Sequence, residues 1–183
     1  MPRDLVERAM GGDRDAFAQL QRRSIDRLYA TARLILGDSD LAQDATQEAF
    51  IAAWRGLRGL RDPDRFEAWL RRLIVSACYR EARKAGRRSR AEGQLRPIDA
   101  DSADPARVTA DRDELDRALE ALDPGDRALI VLHYYLGLPM HETAVALGLP
   151  VGTVKSRLHR TKQRMRATLE ADARRPLPEG GAP

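Results

Sequence analysis

The tripeptide Gly148-Leu149-Pro150 does most to restrict how this chain folds. It follows a short helix-forming run, Met140 to Leu147. Glycine without a Cβ fits the left-handed stop that ends a helix. Proline cannot continue that helix, but its fixed φ suits the first turn of the next one. The next one is well marked. Val151, Val154, Leu158, Met165 and Leu169 recur at helical intervals. Between them stand Lys155, Arg157, Arg160, Lys162, Arg164 and Arg166, with no acid from Gly152 to Arg166. Short helix, tight corner and basic helix make a helix-turn-helix. A helix of roughly 20 Å at about 1.5 Å per residue fits the major groove of duplex DNA. A face of one sign suits phosphate, whereas an amphipathic hairpin at a protein interface is the alternative.

Helical periodicity runs through the remaining chain, so the expected fold is all-α. A helix opens at Asp13 or Arg14, carries Phe17, Leu20, Leu28, Ala32 and Ile35, and closes at Gly37. Asp38 or Ser39 caps a second, with Leu41, Ala42, Ala45, Ala49, Ala52 and Ala53 inward and an end near Gly56. After the turn Arg61-Asp62-Pro63-Asp64, a third runs from about Arg65 to Lys84 with Phe66, Trp69, Leu70, Leu73, Ile74, Ala77 and Cys78 on its apolar side. From Gly86 to Ala110 the period fades among Gly93, Pro97, Pro105 and small polar residues. It resumes with Leu115, Ala118, Leu119 and Leu122. Asp123-Pro124-Gly125-Asp126 then reads as a capped start for a helix carrying Ala128, Leu129, Val131, Leu132 and Leu136 to Gly137. The expected organisation is two small helical domains, residues 1–88 and 113–172. A flexible acidic linker, 89–112, joins them, and 173–183 form a disordered tail.

Charge is distributed in blocks. Six cations stand between Arg80 and Arg90 against Glu81 alone, and seven acids between Asp99 and Asp116 against Arg107 and Arg112. With the basic helix this gives positive, negative, positive, as two nucleic-acid-facing units around an acidic connection would. Several classes are excluded. Cys78 is alone, so no intramolecular disulfide forms, which fits a reducing cytoplasm. No run reaches the roughly 18 apolar residues of a membrane span, and Met1-Pro2-Arg3-Asp4 opens no signal peptide. His133, His141 and His159 fall on separate helices, so no metal site is expected. There is no phosphate-binding glycine loop and no nucleophile–base pair, so neither cofactor nor enzymatic activity is expected.

Taken together, several segments resemble one family. Asp15-Ala16-Phe17, Leu28-Tyr29, Gly37-Asp38, the run Asp44 to Phe50, Trp54, the run Phe66 to Leu70 and the run Gly152 to Leu158 are similar in order and spacing to bacterial RNA polymerase sigma factors of the extracytoplasmic-function (ECF) group. The resemblance spans about Asp13 to Leu169. It implies a region 2 bundle (1–88) that grips the polymerase β′ clamp and opens the −10 element. It also implies a region 4 helix-turn-helix (113–172) that reads the −35 element and touches the β flap. An anti-sigma factor is a further implied partner, and the linker is expected to thread toward the polymerase active-site and RNA-exit path.

The implied site residues each have a plainer reading. Asp44, Gln47 and Glu48 share a helical arc and would meet the β′ coiled coil, with Phe50 and Trp54 beside them; a solvated polar face and ordinary core residues are the alternatives. Phe66, Trp69, Arg72, Ser76, Tyr79, Arg80 and Arg83 would hold the unpaired −10 strand, since cations and flat groups capture unstacked bases. Phe66 and Trp69, three apart, also suit a core, and Ser76 stands where the family often has Asn. Thr153, Lys155, Ser156, Arg157, Arg160 and Lys162 are the −35 set, with Arg157 or Lys155 expected nearest the bases and Arg160 and Lys162 on phosphates. Cys78 reads as a small core residue rather than a redox sensor. A helix-turn-helix regulator acting without polymerase is the competing function.

Overall fold

The computed structural model describes residues 1–91 and 117–173. The expected linker from 92 onward and the tail from 174 onward lie outside the described residues.

Helix α1 (Arg3–Met10) was not foreseen. Its Leu5, Val6 and Ala9 are buried against α2 (Arg14–Leu36). Asp13 caps α2 by accepting from the Ala16 N–H at 3.0 Å. Gly37, at φ 72°, stops it, donating its N–H to the Arg33 carbonyl at 2.8 Å. Asp38 then caps α3 (Ser39–Gly56), accepting from the Leu41 N–H at 2.8 Å. Two short 3₁₀ turns, Leu57–Gly59 and Pro63–Arg65, lead into α4 (Phe66–Ala91).

Ala42, Ala45, Ala49 and Ala53 are fully buried along one seam of α3. Without bulk beyond Cβ they let α3 approach α2 and α4 closely, and these are the most extensive contacts of the first module. Phe66, Leu70, Ile74, Ala77 and Cys78 of α4 fill the space behind the seam.

The second module begins with helical residues 117–120. Asp123 caps α5 (Pro124–Ile130), accepting from the N–H groups of Gly125 and Asp126, both at 3.0 Å. The chain continues into a widened π turn, Val131–Tyr135, where the Leu136 N–H reaches back to the Val131 carbonyl at 2.9 Å. The helix-turn-helix follows, α6 (Met140–Leu147) and α7 (Val151–Ala173), with Gly148 at φ 66° in the corner. Leu129, Ala144, Val154 and Leu158 form its own small core.

The two modules close on each other. Ala128, Val131, Leu132 and Leu138 share one apolar cluster with the α2, α3 and α4 core. Helix α6 lies against α4, and α5 against α2 and α4. Arg71 reaches Glu142 across this boundary at 3.5 Å.

Candidate nucleic-acid interface

The three sets of expected residues occupy three faces. On α3, Asp44 and Gln47 are exposed, and Glu48 is half-buried. Glu48 accepts from Lys84 at 2.8 Å and from Arg80 at 3.1 Å, which ties this face to α4. Those donors, Lys84 foremost, hold its carboxyl below the usual range against the opposing effect of burial. Phe50 is buried. Trp54 is 38% exposed, its ring 5.0 Å from that of Phe17. Together Phe17, Ile25, Tyr29, Gln47, Ile51 and Trp54 line a groove of about 770 Å³ between α2 and α3. Ile25 and Ile51 were not singled out from sequence, and Tyr29 was named only within the family resemblance, without a site role. Their signal was available: Ile25 and Tyr29 are four apart and off the buried stripe of α2.

On α4, Arg72, Ser76, Arg80 and Arg83 are exposed at helical spacing, a continuous polar and cationic strip. Arg80 donates to the Ser76 hydroxyl at 2.9 Å, which orders the strip internally. Phe66 is 2% exposed, and its ring lies 6.1 Å from that of half-buried Trp69. Phe66 therefore supports the start of α4 from beneath. Trp69 also lies over Gly56, where an added Cβ would come within 3.1 Å of its ring. Tyr79 faces the second module, and burial pushes its hydroxyl up to about 12. It lines a cleft of about 710 Å³ with Arg83, Arg87, Gly125 and Arg157.

On α7, Thr153, Lys155, Ser156, Arg160 and Lys162 are exposed. Ser156 donates its hydroxyl to the Thr153 carbonyl at 3.0 Å. The Lys162 ammonium stands 5.9 Å over the Tyr134 ring. Arg157 differs from these. It turns inward and donates to Asp126 Oδ1 through Nη2 at 2.7 Å and Nε at 3.2 Å. Behind α7, Tyr134 and Tyr135 are well exposed beside a groove of about 1080 Å³ that also includes Ile130, Met165 and Leu169. Sequence reasoning did not single it out, because its residues come from five separate elements, from Leu34 of α2 to Leu169 of α7.

Among the described residues no group of three or more His, Cys, Asp or Glu side chains converges as a metal site would. None of their helices is long and apolar enough to cross a membrane.

Residues 20–88 match the family model for Sigma-70 region 2, and residues 112–165 that for Sigma-70 region 4. The chain is 34% identical to the ECF RNA polymerase sigma factor SigE of Mycolicibacterium smegmatis over 81% of its own length, and spans 59% of that longer protein. It is 34% identical to the RNA polymerase sigma factor CnrH of Cupriavidus metallidurans over 93% of this chain and 95% of CnrH. The structure of CnrH in complex with the cytosolic domain of CnrY matches 93% of this chain and 97% of CnrH with a TM-score of 0.64 at 32% identity. The fold is also that of the sigma factor RpoE from Bartonella quintana, seen in complex with the anti-sigma factor NepR; the TM-score is 0.72 at 24% identity, over 85% of this chain and 98% of RpoE.

Proposed function

Since the chain belongs to the ECF group of RNA polymerase sigma factors, we propose that its three faces divide the work of promoter recognition. A sigma factor directs transcription initiation and is not itself an enzyme. The α2–α3 groove, with Asp44, Gln47, Glu48 and Trp54 at its edge and Phe50 beneath, takes the β′ clamp of core polymerase. The α4 strip holds the unpaired −10 strand. Trp69 offers a flat surface, as does Tyr79 once the second module moves off it; Arg72, Arg80 and Arg83 offer charge, Ser76 offers a hydrogen bond, and Phe66 supports them. Helix α7 enters the major groove at the −35 element with Thr153, Lys155, Ser156 and Arg160 toward base edges and phosphates and Lys162 on the backbone. Region 4 also meets the β flap.

The observation that carries this reading is the pairing of two cationic helices, α4 and α7, in separate modules of one chain. Either alone would suit a simple DNA-binding protein; together they suit two promoter elements. The protein works in the cytoplasm, where core polymerase is, and answers an envelope or other stress. Because the relatives RpoE and CnrH are seen bound to NepR and to CnrY respectively, we extend to this chain an anti-sigma partner that covers the same faces.

Run-off transcription with purified core polymerase on fragmented genomic DNA tests the reading. Core plus this chain is expected to initiate at discrete sites that core alone does not use. Binding to duplex DNA with no initiation would instead make the chain a helix-turn-helix regulator. Asp44→Ala together with Trp54→Ala is expected to abolish initiation by lost core binding.

A further inference from the structure

Between Lys155 and Arg166 helix α7 carries six cations and no acid, and two of the six, half-buried Arg157 and exposed Arg164, are paired with an acid of α5. Arg157 and Arg164 are seven residues apart, two helical turns, so they lie on one stripe. Both meet one carboxylate. Asp126 Oδ1 accepts from Arg157 at 2.7 Å and 3.2 Å, and Asp126 Oδ2 accepts from Arg164 at 2.8 Å. The Asp126 side chain is 10% exposed. Its backbone is fixed in turn, because its N–H donates to the capping Asp123 at 3.0 Å. Asp123 itself lies 3.9 Å from each arginine.

From this geometry we infer that Asp126 is a positioning residue for −35 recognition, a clamp that sets the rotation of α7 through Arg157 and Arg164. The inference rests on the proposed role of α7 at the −35 element. Two arginine stems about 10 Å apart along the axis converge on one carboxylate, which opposes both rotation and slide of α7. A rotation of about 20° would move a side-chain tip, roughly 6 Å from the axis, by some 2 Å. That exceeds the tolerance of a hydrogen bond to a base edge. Arg157 thus acts through Asp126 and leaves base reading to Lys155, Thr153, Ser156 and Arg160. The clamp also withholds two cations from phosphate, so its loss lowers selectivity without lowering total attraction.

The test uses the full chain on core polymerase. The probe is a duplex library randomised over the upstream hexamer, placed ahead of a pre-opened bubble so that loading does not depend on the −10 sequence. Bound sequences are counted, and total binding is followed against salt. Wild type is expected to enrich one hexamer. Asp126→Asn is expected to reduce that enrichment about tenfold or more, the size of one or two lost base contacts. Binding at low salt should not fall. Arg157→Ala should lose enrichment equally, and the double variant no more than either alone, because the two act as one unit. Asp126→Glu should restore much of it. Circular dichroism and melting check that each variant is folded, and Arg164→Ala, changed at a half-exposed position, serves as a second break of the clamp.

Enrichment kept within about twofold in both folded Asp126→Asn and Arg164→Ala overturns the inference. So does loss of preference at a single base position in Arg157→Ala with Asp126→Asn unaffected, since Arg157 would then be a base reader. A wild type that binds the bubble but enriches no hexamer removes the −35 reading itself, and the clamp with it.

Discussion

Glu48 holds two cations of the neighbouring helix, Lys84 and Arg80, and Lys84 also reaches Glu81 at 2.6 Å. A carboxyl kept below its ordinary value is more readily ionised in the folded chain than in the unfolded one. Its stabilising effect is therefore full above the usual carboxylate range and is lost as pH falls through the lowered folded value. Glu48→Gln is expected to lower stability near neutral pH by at most about 1 kcal/mol, since the pairs are partly exposed. The difference from wild type should shrink toward zero at acid pH. Urea melts at several pH values read this directly, and a constant difference would contradict it. Cys78 makes the opposite case. Burial pushes its thiol up to about 12, so almost no thiolate exists at neutral pH. It should resist iodoacetamide until denaturant is added, which mass spectrometry of labelled protein checks. The Cys78 position was legible, because it continues the Leu70–Ile74–Ala77 stripe. The Glu48 partners were not, because they depend on how α3 and α4 are set against each other, which no single-helix period encodes.

At the scale of elements, two features decide the geometry of the faces. The first is the alanine seam of α3. Ala45 and Ala49 are fully buried, so a larger side chain has no room there. Ala45→Leu is expected to cost about 1–3 kcal/mol by overpacking and to distort the α2–α3 groove. Thermal melting gives the first, and lost core-polymerase binding the second. The second feature is Gly148, whose φ of 66° sets the corner between α6 and α7. Gly148→Ala is expected to cost about 1–2 kcal/mol, because an L side chain is strained in that region. A melting temperature equal to wild type would show that the corner relaxes freely. The stops at Gly37 and Gly148 and the cap at Asp123 were readable, and the caps at Asp13 and Asp38 to within one residue, because each works within a few residues. Helix α1 was missed since Leu5, Val6 and Ala9 cover little more than one turn, too little to establish a period. The π turn was missed for another reason: Val131 and Leu132 keep an apolar pattern whether their turn has normal or widened pitch.

At the scale of the molecule, the closed packing of the two modules was the least legible feature. Val131, Leu132 and Leu138 were visible as apolar, but periodicity does not say whether they turn to their own module or to its neighbour. On the proposed division of work the closed form cannot serve both promoter elements. Centres roughly 25 base pairs apart lie some 85 Å apart at about 3.4 Å per pair, whereas a compact body of this length has a radius of gyration near 16 Å. For α4 and α7 to act together as proposed, the modules must separate. The strength of the contact decides how. The Arg71–Glu142 pair is partly exposed and worth under about 1 kcal/mol, so breaking it alone should open little. The apolar share is larger, and half-buried Ala146 of α6 packs on the common cluster. Placing cations at both positions, Glu142→Arg with Ala146→Arg, sets charge against Arg71 and against buried apolar surface while leaving the small core of the second module intact. Solution X-ray scattering should then show a radius of gyration several ångströms above wild type, with Glu142→Arg alone nearly unchanged. The opened variant should load onto promoter DNA faster with core polymerase, because separation no longer has to precede binding. Equal radii for all three proteins, all several ångströms above the compact value, would mean that the modules part as readily in the wild type, and that the contact is no barrier to promoter binding.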